Sequence, residues 1–329
     1  MNSQHTKTIK WGIIGLGKIA NKFASDIAAT EGAELYAVAS RNLEKATKFA
    51  KKHKATMAYG SYEELAKSKK VDAIYIATPH SLHKDNTLLC LKHKKAVLCE
   101  KPFALNSKEV SEMIAYAKAN NVLLMEALWT YFLPHYQYVL KLLQEEKYGK
   151  VLKLETEFGF KPTYDIHNRL FDKSLGGGSL LDIGIYSIFS ALSTLGLPKN
   201  IEANATFFKN GADSSCTMRF NYDKATAYLK STFLEQLKNE AIFTCEKGII
   251  KINTPFHIPT TVTLIPNDGD SETLEFNVTT FGYHYEILHF NELLRSNKTE
   301  SDIMTFEFSE KLMHLLDSVK KDIGLSYSK

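Results

Sequence analysis

The sequence predicts an α/β fold: a doubly wound parallel sheet over residues 1–127, then an α+β domain over residues 128–329 with a large, mostly antiparallel sheet. Three observations lead there. An apolar run broken by glycines stands near the start, and apolar runs then alternate with helix-period segments as far as Met125. From Val151 onward the pattern turns to period two. A chain of 329 residues has room for about two domains. With 44% hydrophobic and 24% charged residues its composition is that of an ordinary globular protein.

The first element is IKWGIIGLGKIA at residues 9–20. Trp11, Ile13 and Ile14 suit a buried parallel strand. It breaks into Gly15-Leu16-Gly17, and a helix-like segment begins with Ala20 at the third small position. Gly15 permits the tight turn, Gly17 lets backbone approach a pyrophosphate, and Ala20 lets the helix pack on the strand. Lys18 and Ile19 open the helix, where N–H groups and the positive dipole end face the phosphates. This is the signature of a dinucleotide-binding (Rossmann) domain.

Residues 34–40 (ELYAVAS) form the second strand, and residues 43–53 a helix with Ala46, Phe49 and Ala50 on one face. Tyr59-Gly60-Ser61 is a turn, and its serine caps the short helix YEELAKS. A strand over 71–77 runs into Thr78-Pro79, and a helix follows over about 83–91. The strand 96–99 leads directly into Glu100-Lys101-Pro102. Asn106 or Ser107 caps the helix KEVSEMIAYAKAN, and residues 122–125 form another strand. Such alternation implies right-handed crossovers and a parallel sheet.

Beyond Gly149, Leu152, Leu154, Thr156, Phe158 and Phe160 can share one strand face. Similar runs follow at 201–208, 214–221, 225–233, 240–246, 249–253, 261–265 and 272–277, separated by turns such as Asn210-Gly211 and Lys247-Gly248. Helical segments fall at about 182–195, 284–296 and 304–323. A sheet of this size can bury one face on helices and offer the other to a second subunit, so a homodimer is expected.

The net charge of +4 is small, and the Lys-rich pieces at 51–54 and 92–95 sit at predicted helix ends, where cations complement the dipole. No aromatic pattern interleaves them, so no nucleic-acid partner is expected. Cys90, Cys99, Cys216 and Cys245 lie far apart without metal spacing, and Cys90 and Cys99, in apolar segments, read as reduced core residues. His80 and His83 lack a third ligand at a recognisable spacing, so no metal is expected. The start MNSQHTKTIK has no apolar leader region, and no run approaches a membrane span, so the expectation is a cytoplasmic protein that binds no membrane.

The second strand ends Ala39-Ser40-Arg41-Asn42, with no acid to bind a ribose 2′-hydroxyl. Ser40 can donate a hydrogen bond and Arg41 can pair with a 2′-phosphate through its planar fork. A charge-assisted contact of about 1.5–3 kcal/mol corresponds to roughly 10- to 150-fold in affinity, so NADP is expected, with NAD as the alternative.

Three further segments make an active site. Thr78-Pro79 and Glu100-Lys101-Pro102 follow strands at the carboxyl edge, where open α/β sheets bind ligands. GGGSLLDIGIY at 176–186 leads into a helix with Asp182 and Tyr186 at i, i+4 on one face. In this order and spacing, GIIGLGKIA, ATPHSLH, EKP and GGGSLLDIGIY resemble the Gfo/Idh/MocA oxidoreductases over nearly the whole chain. The likeness is strongest to the branch of dimeric dihydrodiol dehydrogenase and NADP-dependent xylose dehydrogenase, through AYGSYEELA, AVLCEKP, LLMEALWT and LLDIGIY.

The resemblance implies a nicotinamide enzyme with Lys101 beside substrate and cofactor, His83 lining the nicotinamide pocket, and Trp129 as a substrate-pocket wall. Cofactor contacts are then expected from Gly15, Gly17, Lys18, Ile19, Ser40, Arg41, Thr78, Pro79, His83, Glu100 and Lys101. Tyr186 stands where many members carry histidine, which argues against the inositol dehydrogenase branch. His167 and Arg169 precede the glycine run and are candidate substrate contacts; Tyr283, Tyr285 and Glu286 open a predicted helix without an assigned role.

The chemistry agrees from below. Hydride exchange at a carbinol carbon requires a group that exchanges the hydroxyl proton. A free tyrosine, with a pKa of about 10, is a poor base at neutral pH. An ammonium about 4 Å away at an effective dielectric of about 20 favours tyrosinate by up to about 4 kcal/mol. At about 1.36 kcal/mol per pH unit, that lowers the pKa by at most about three. Lys101 thus activates Tyr186, with Asp182 orienting Lys101 or a substrate hydroxyl; the alternative makes Lys101 itself the acid–base group. The expected function is NADP-dependent hydride transfer to or from a sugar, polyol or cyclic dihydrodiol. A cofactor-binding sensor, and a reductase working toward the alcohol, are the other readings.

Overall fold

The computed structural model describes residues 7–327. Residues 1–6, which enter the expectation about a leader, and residues 328–329 lie outside the described residues. The chain forms two compact units.

The first unit runs through Ala104 and takes in Lys108–Trp129 and Thr279–Ser309. Its strands are β1 (Ile9–Ile14), β2 (Ala33–Ala39), β3 (Met57–Tyr59), β4 (Ala73–Ile76), β5 (Ala96–Glu100) and β6 (Leu124–Ala127). They pair in the order β3-β2-β1-β4-β5-β6, all parallel. Helices α1 (Lys18–Ala28), α2 (Leu43–His53), α3 (Tyr62–Lys67), α4 (His83–Lys92) and α5 (Ser107–Asn120) alternate with them. Near-continuous burial of β1, β4, β5 and β6 is the mark of a parallel sheet covered on both faces. Asn42 caps α2 by accepting the Lys45 N–H, and Ser61 caps α3 by accepting that of Glu64. The edge strand β3 occupies what the sequence predicts as the approach to a turn: three residues with one exposed face leave no periodic pattern to read.

Strand order reverses between β1 and β4, so the turns after these two strands flank the crevice of a doubly wound sheet. Gly15 lies there at φ +89°, and a Cβ on it would stand 2.6 Å from the backbone of Ala77 and Thr78. Only glycine permits that contact at that dihedral.

The second unit comprises Leu105–Ser107, Thr130–Val278 and the chain from Glu310 on. After α6 (Pro134–Gln144) come β7 (Val151–Gly159), α7 (Ile185–Leu195), β8 (Asn200–Phe207), β9 (Asp213–Asn221), β10 (Thr226–Thr232), β11 (Ala241–Cys245), β12 (Gly248–Ile252), β13 (Val262–Pro266) and β14 (Glu272–Leu274). These strands form one sheet in the order β14-β13-β12-β11-β7-β10-β9-β8, antiparallel except for the β7–β10 pair. Leu154, Thr156 and Phe158 of β7 are buried on one face, with Ala227 and Leu229 of β10. Leu152, placed on the same face by periodicity, is exposed at the strand's start. Helices α8 (His284–Arg295) and α9 (Phe306–Asp322) close the chain.

The two units interleave in sequence, whereas the expected division was linear at residue 127. α8 belongs to the first unit because its apolar face meets that unit's aromatic core. Phe290 lies 5.1 Å from Trp11, and the Trp11 indole N–H donates to Asn291 Oδ1 at 3.0 Å. Tyr283 lies edge-on to Phe23 at 6.1 Å, and Phe23 stacks on Tyr75 at 3.6 Å. A helical period reports an apolar face but not the sheet that receives it.

Asp26 of α1 fixes this docking. The carboxylate is buried and accepts the N–H groups of Phe281 (3.1 Å), Tyr283 (2.8 Å) and His284 (3.3 Å). Among the described residues the one stretch long and apolar enough to cross a membrane, Lys173–Leu195, is 94% buried inside the fold.

Replacing Asp26 with alanine strands several backbone donors, each worth about 1–3 kcal/mol when left unpaired. We expect Asp26→Ala to lower urea stability by about 2–3 kcal/mol in the transition followed by Trp11 fluorescence. A loss below about 0.5 kcal/mol, the scale of an ordinary surface substitution, would show that water replaces the carboxylate.

Candidate active site

Within the first unit the predicted cofactor residues gather at the carboxyl edge of the sheet. Gly17 ends the β1 turn as the N-cap of α1, with no side-chain cap, and a Cβ placed on it would meet nothing within 4 Å. The first N–H groups of α1, from Lys18 and Ile19, have no acceptor one turn earlier in the helix. Ala20 is fully buried. These features fit a pyrophosphate on the helix N-terminus. At the end of β2, Arg41 is exposed, while the Ser40 hydroxyl accepts the Asn42 N–H at 3.2 Å and keeps its own proton for donation. No carboxylate occupies this strand end, so the residues present fit a 2′-phosphate.

The Thr78 and Lys101 turns are tied together. His83 is fully buried, with Nε2 2.9 Å from the Thr78 carbonyl and Nδ1 2.8 Å from that of Pro102. The sequence offers His83 as a helix cap or a nicotinamide contact; in the structure it is the first residue of α4 rather than its cap, and its ring bridges the two turns. The Thr78 hydroxyl accepts from Asn86 at 3.1 Å. Glu100 is buried: it accepts the Tyr75 hydroxyl proton, and its Oε2 accepts the Lys101 N–H at 3.2 Å. Lys101 itself is half-buried, and the peptide that follows it is cis. Just beyond, Phe103 N–H donates to Glu126 Oε1 at 2.9 Å.

Trp129 is 5% exposed and stacks on Tyr283 at 4.2 Å with rings 9° from parallel. Tyr283 is one of the residues whose N–H Asp26 accepts, so the cofactor-site helix α1 also braces the candidate substrate wall.

The second unit holds the other half of the predicted set. Leu180–Gly184 forms one π-helical turn that continues into α7, so Asp182 and Tyr186 lie on consecutive turns across a π-to-α junction, where the sequence predicts one regular helix. Such turns often accompany functional sites. The Asp182 carboxylate accepts from Arg169 at 2.9 Å, a pairing that the sequence, treating the two separately, does not give. Tyr186 is 5% exposed; its ring lies 5.8 Å from Phe158 and 5.1 Å from His257, and His257 stacks on Phe158 at 4.0 Å. His257 had no sequence signal beyond being a lone histidine in the loop PFHIP. His167 is exposed, its N–H donating to Asp165 at 2.9 Å.

Asp213 secures this segment, and the sequence gives no hint of it. Its buried Oδ2 accepts the Ser179 hydroxyl and the Leu180 N–H, both at 2.7 Å. Gly178 lies at φ +127°, and a Cβ there would stand 2.1 Å from Asp213 Oδ1. Gly184 packs against Ser231 of β10, where a Cβ would fall 2.9 Å from the hydroxyl. The glycine-rich motif is therefore a packing requirement: backbone must reach Asp213 and the sheet without side chains between.

Among the described residues no group of three or more His, Cys, Asp or Glu is arranged to hold a metal. His80 and His83 stand with rings 5.7 Å apart and edge-on.

Residues 9–128 match the oxidoreductase family with an NAD-binding Rossmann fold, and residues 136–251 match the GFO/IDH/MocA C-terminal domain. The chain is 37% identical to a trans-1,2-dihydrobenzene-1,2-diol dehydrogenase of Xenopus tropicalis, over 97% of this chain and 99% of that one. It belongs to the GFO/IDH/MocA oxidoreductase family. It is 37% identical as well to the scyllo-inositol 2-dehydrogenase (NADP(+)) IolU of Bacillus subtilis (strain 168), over 97% of this chain and 98% of that one, so the tyrosine at 186 does not by itself set the chain apart from inositol dehydrogenases. The fold is that of the aldose-aldose oxidoreductase of Caulobacter crescentus solved with glycerol, at TM-score 0.88, 23% identity, and 96% and 97% coverage. It is likewise that of the 3-ketoreductase KijD10 of Actinomadura kijaniata solved with NADP and TDP-benzene, at TM-score 0.87, 24% identity, and 96% and 98% coverage. This GFO/IDH/MocA chain is therefore a nicotinamide-dinucleotide oxidoreductase, as its motifs predict.

Burial raises the Asp213 carboxyl to about 6, against the hydrogen bonds that favour its anion. Such a group binds its proton more tightly folded than unfolded. Its stabilising contribution is full below about pH 4 and is lost as pH rises through about 6. In Asp213→Asn this dependence disappears. Thermal melts between pH 4 and 7 should show the wild type losing its advantage over, or falling further below, the variant as pH rises. A constant difference would mean that Asp213 does not titrate there.

Proposed function

We propose that this oxidoreductase uses NADP in preference to NAD and acts on a hydroxyl-bearing carbon of a sugar, polyol or cyclic dihydrodiol. The reading rests above all on one observation. Lys101 in the first unit and Tyr186 in the second each sit on a segment locked by a buried carboxylate, which is the treatment expected for reactive groups. Two relatives matched over nearly their whole length are named for a cyclic diol and an inositol, and one of them for NADP. Ser40 and Arg41, with no acid at the end of β2, support the phosphorylated cofactor.

Bound NADP supplies the hydride acceptor or donor. Gly15, Gly17, Lys18 and Ile19 hold its pyrophosphate, Ser40 and Arg41 its adenosine phosphate, and Thr78, Pro79, Glu100 and Lys101 border its reactive end. In this reading the Lys101 ammonium polarises a substrate oxygen, and the Tyr186 hydroxyl exchanges a substrate proton. Asp182, held by Arg169, orients a substrate hydroxyl. Trp129, braced by Tyr283, forms an apolar wall for a ring, and His167 and Arg169 supply outer polar contacts. The open face of the eight-stranded sheet, with Tyr228 and Ile265 exposed on it, suits a second copy of the chain, and four free cysteines suit a reducing cytoplasm.

Two kinetic experiments test this. Lys101→Met and Tyr186→Phe should each lower kcat by about 10²-fold or more on a responsive polyol, with KM for NADP little changed. If Tyr186→Phe keeps most of kcat, proton transfer belongs to Lys101 instead. In Arg41→Ala the preference for NADP over NAD, as the ratio of kcat/KM, should fall at least about tenfold. An unchanged ratio would remove Arg41 from cofactor selection.

A further inference from the structure

Glu126 on β6 is a buried acid that the scheme above leaves unused. Its side chain is 1% exposed, and in the parallel β5–β6 pairing it stands opposite Cys99, one residue before Glu100. Oε1 reaches out of the sheet to accept the Phe103 N–H at 2.9 Å. The segment 101–103 is thus fastened at both ends by carboxylates: Lys101 N–H donates to Glu100, and Phe103 N–H to Glu126.

A plain structural tie needs only an acceptor, and a neutral amide would serve. A carboxylate buried this deeply is costly unless it is paired and hydrogen-bonded. Burial pushes Glu126 up to about 7, and the Glu100 charge adds to that rise. The Ser309 hydroxyl, the Phe103 N–H and the Lys101 charge oppose it. Cys99 and Glu100 on β5, Lys101 and Phe103 in the turn, and Ser309 of α9 are therefore the groups in whose field it titrates. Lys101 is the cation among them.

We propose that Glu126 is the positioning residue of Lys101: it fixes the lysine-bearing turn through Phe103 N–H and holds the Lys101 amine in its charged form. This rests on the reading of Lys101 as an active-site group. The coupling runs both ways, so an ionised Glu126 raises the affinity of Lys101 for its proton, and removal of the charge lowers it.

The test reads Lys101 directly, without cofactor or turnover. The full-length protein is treated with a limiting amount of acetic anhydride across neutral and alkaline pH. Acetylation of Lys101 is then quantified by mass spectrometry, with the other lysines of the chain as internal standards. In Glu126→Gln the amide oxygen still accepts the Phe103 N–H, but the charge is gone. Lys101 should then acetylate about threefold faster or more at a given pH, corresponding to a fall of about half a pH unit in its pKa. In Glu126→Leu the tie itself is lost, and kcat should fall about tenfold or more while KM for NADP stays within about threefold.

Labelling of Lys101 in Glu126→Gln that matches the wild type would overturn the proposal and leave Glu126 a structural tie. Should Glu126→Leu not fold, as judged by circular dichroism, the glutamine variant decides alone. Lys101→Met separates the two readings. If it retains wild-type kcat, the catalytic reading of Lys101 fails whatever the labelling shows. If it loses kcat while Glu126→Gln labels like wild type, only the role of Glu126 fails.

Discussion

A carboxylate buried in the fold and bonded to backbone N–H groups is an expensive object, since burial disfavours its charge and few donors fully replace water. This chain uses that object beside the candidate site segments. Asp26 takes the N–H groups that open α8 and so braces Tyr283 against Trp129. Glu126 takes Phe103 N–H beyond Lys101, and Asp213 takes Leu180 N–H before Asp182 and Tyr186. In each case a residue distant in sequence fixes a loop or helix start that would otherwise be free to shift. A displacement of about 1 Å at a reacting group can cost about 10²-fold in rate, which gives such ties their value.

The ties also explain the glycines. Gly15 lets the β1 turn lie against Ala77 and Thr78, and Gly178 lets backbone pass beside Asp213. Gly17 differs, because nothing in the protein crowds its missing Cβ. The smallness of Gly15 and Gly178 serves the fold, whereas the fold places no such demand on Gly17. The same letter in the same style of motif thus meets different demands, and only the surroundings tell them apart.

Much of the architecture was legible because it is local. Buried strands in a parallel sheet read as apolar runs, and half-buried strands read as alternation, so both sheets could be expected from pattern alone. The short strand β3 escaped because three residues carry no period. The π turn at Leu180–Gly184 escaped because helical spacing looks alike in both forms over so few residues. The placement of α8 with the first unit escaped because an amphipathic face does not name its partner. Among the candidate site residues, those the sequence singles out lie inside motifs: Gly15, Gly17, Lys101, Asp182 and Tyr186. Asp213, Glu126, Asp26 and His257 were not singled out, since each acts through a contact far away in sequence.

By itself, then, the sequence determined the fold class, the dinucleotide turn, the absence of an acid after β2, and the segments that bear the candidate reactive side chains. Each of these is set by residues close together in the chain, through backbone dihedrals, periodicity and charge. Tertiary structure decided what holds those segments still. It paired Asp182 with Arg169, gave His83 to two carbonyls, stacked Trp129 on Tyr283, and set buried carboxylates behind Lys101 and Tyr186. Hydrogen bonds and burial depend on distance in space, and a linear pattern carries no record of it until the chain has folded.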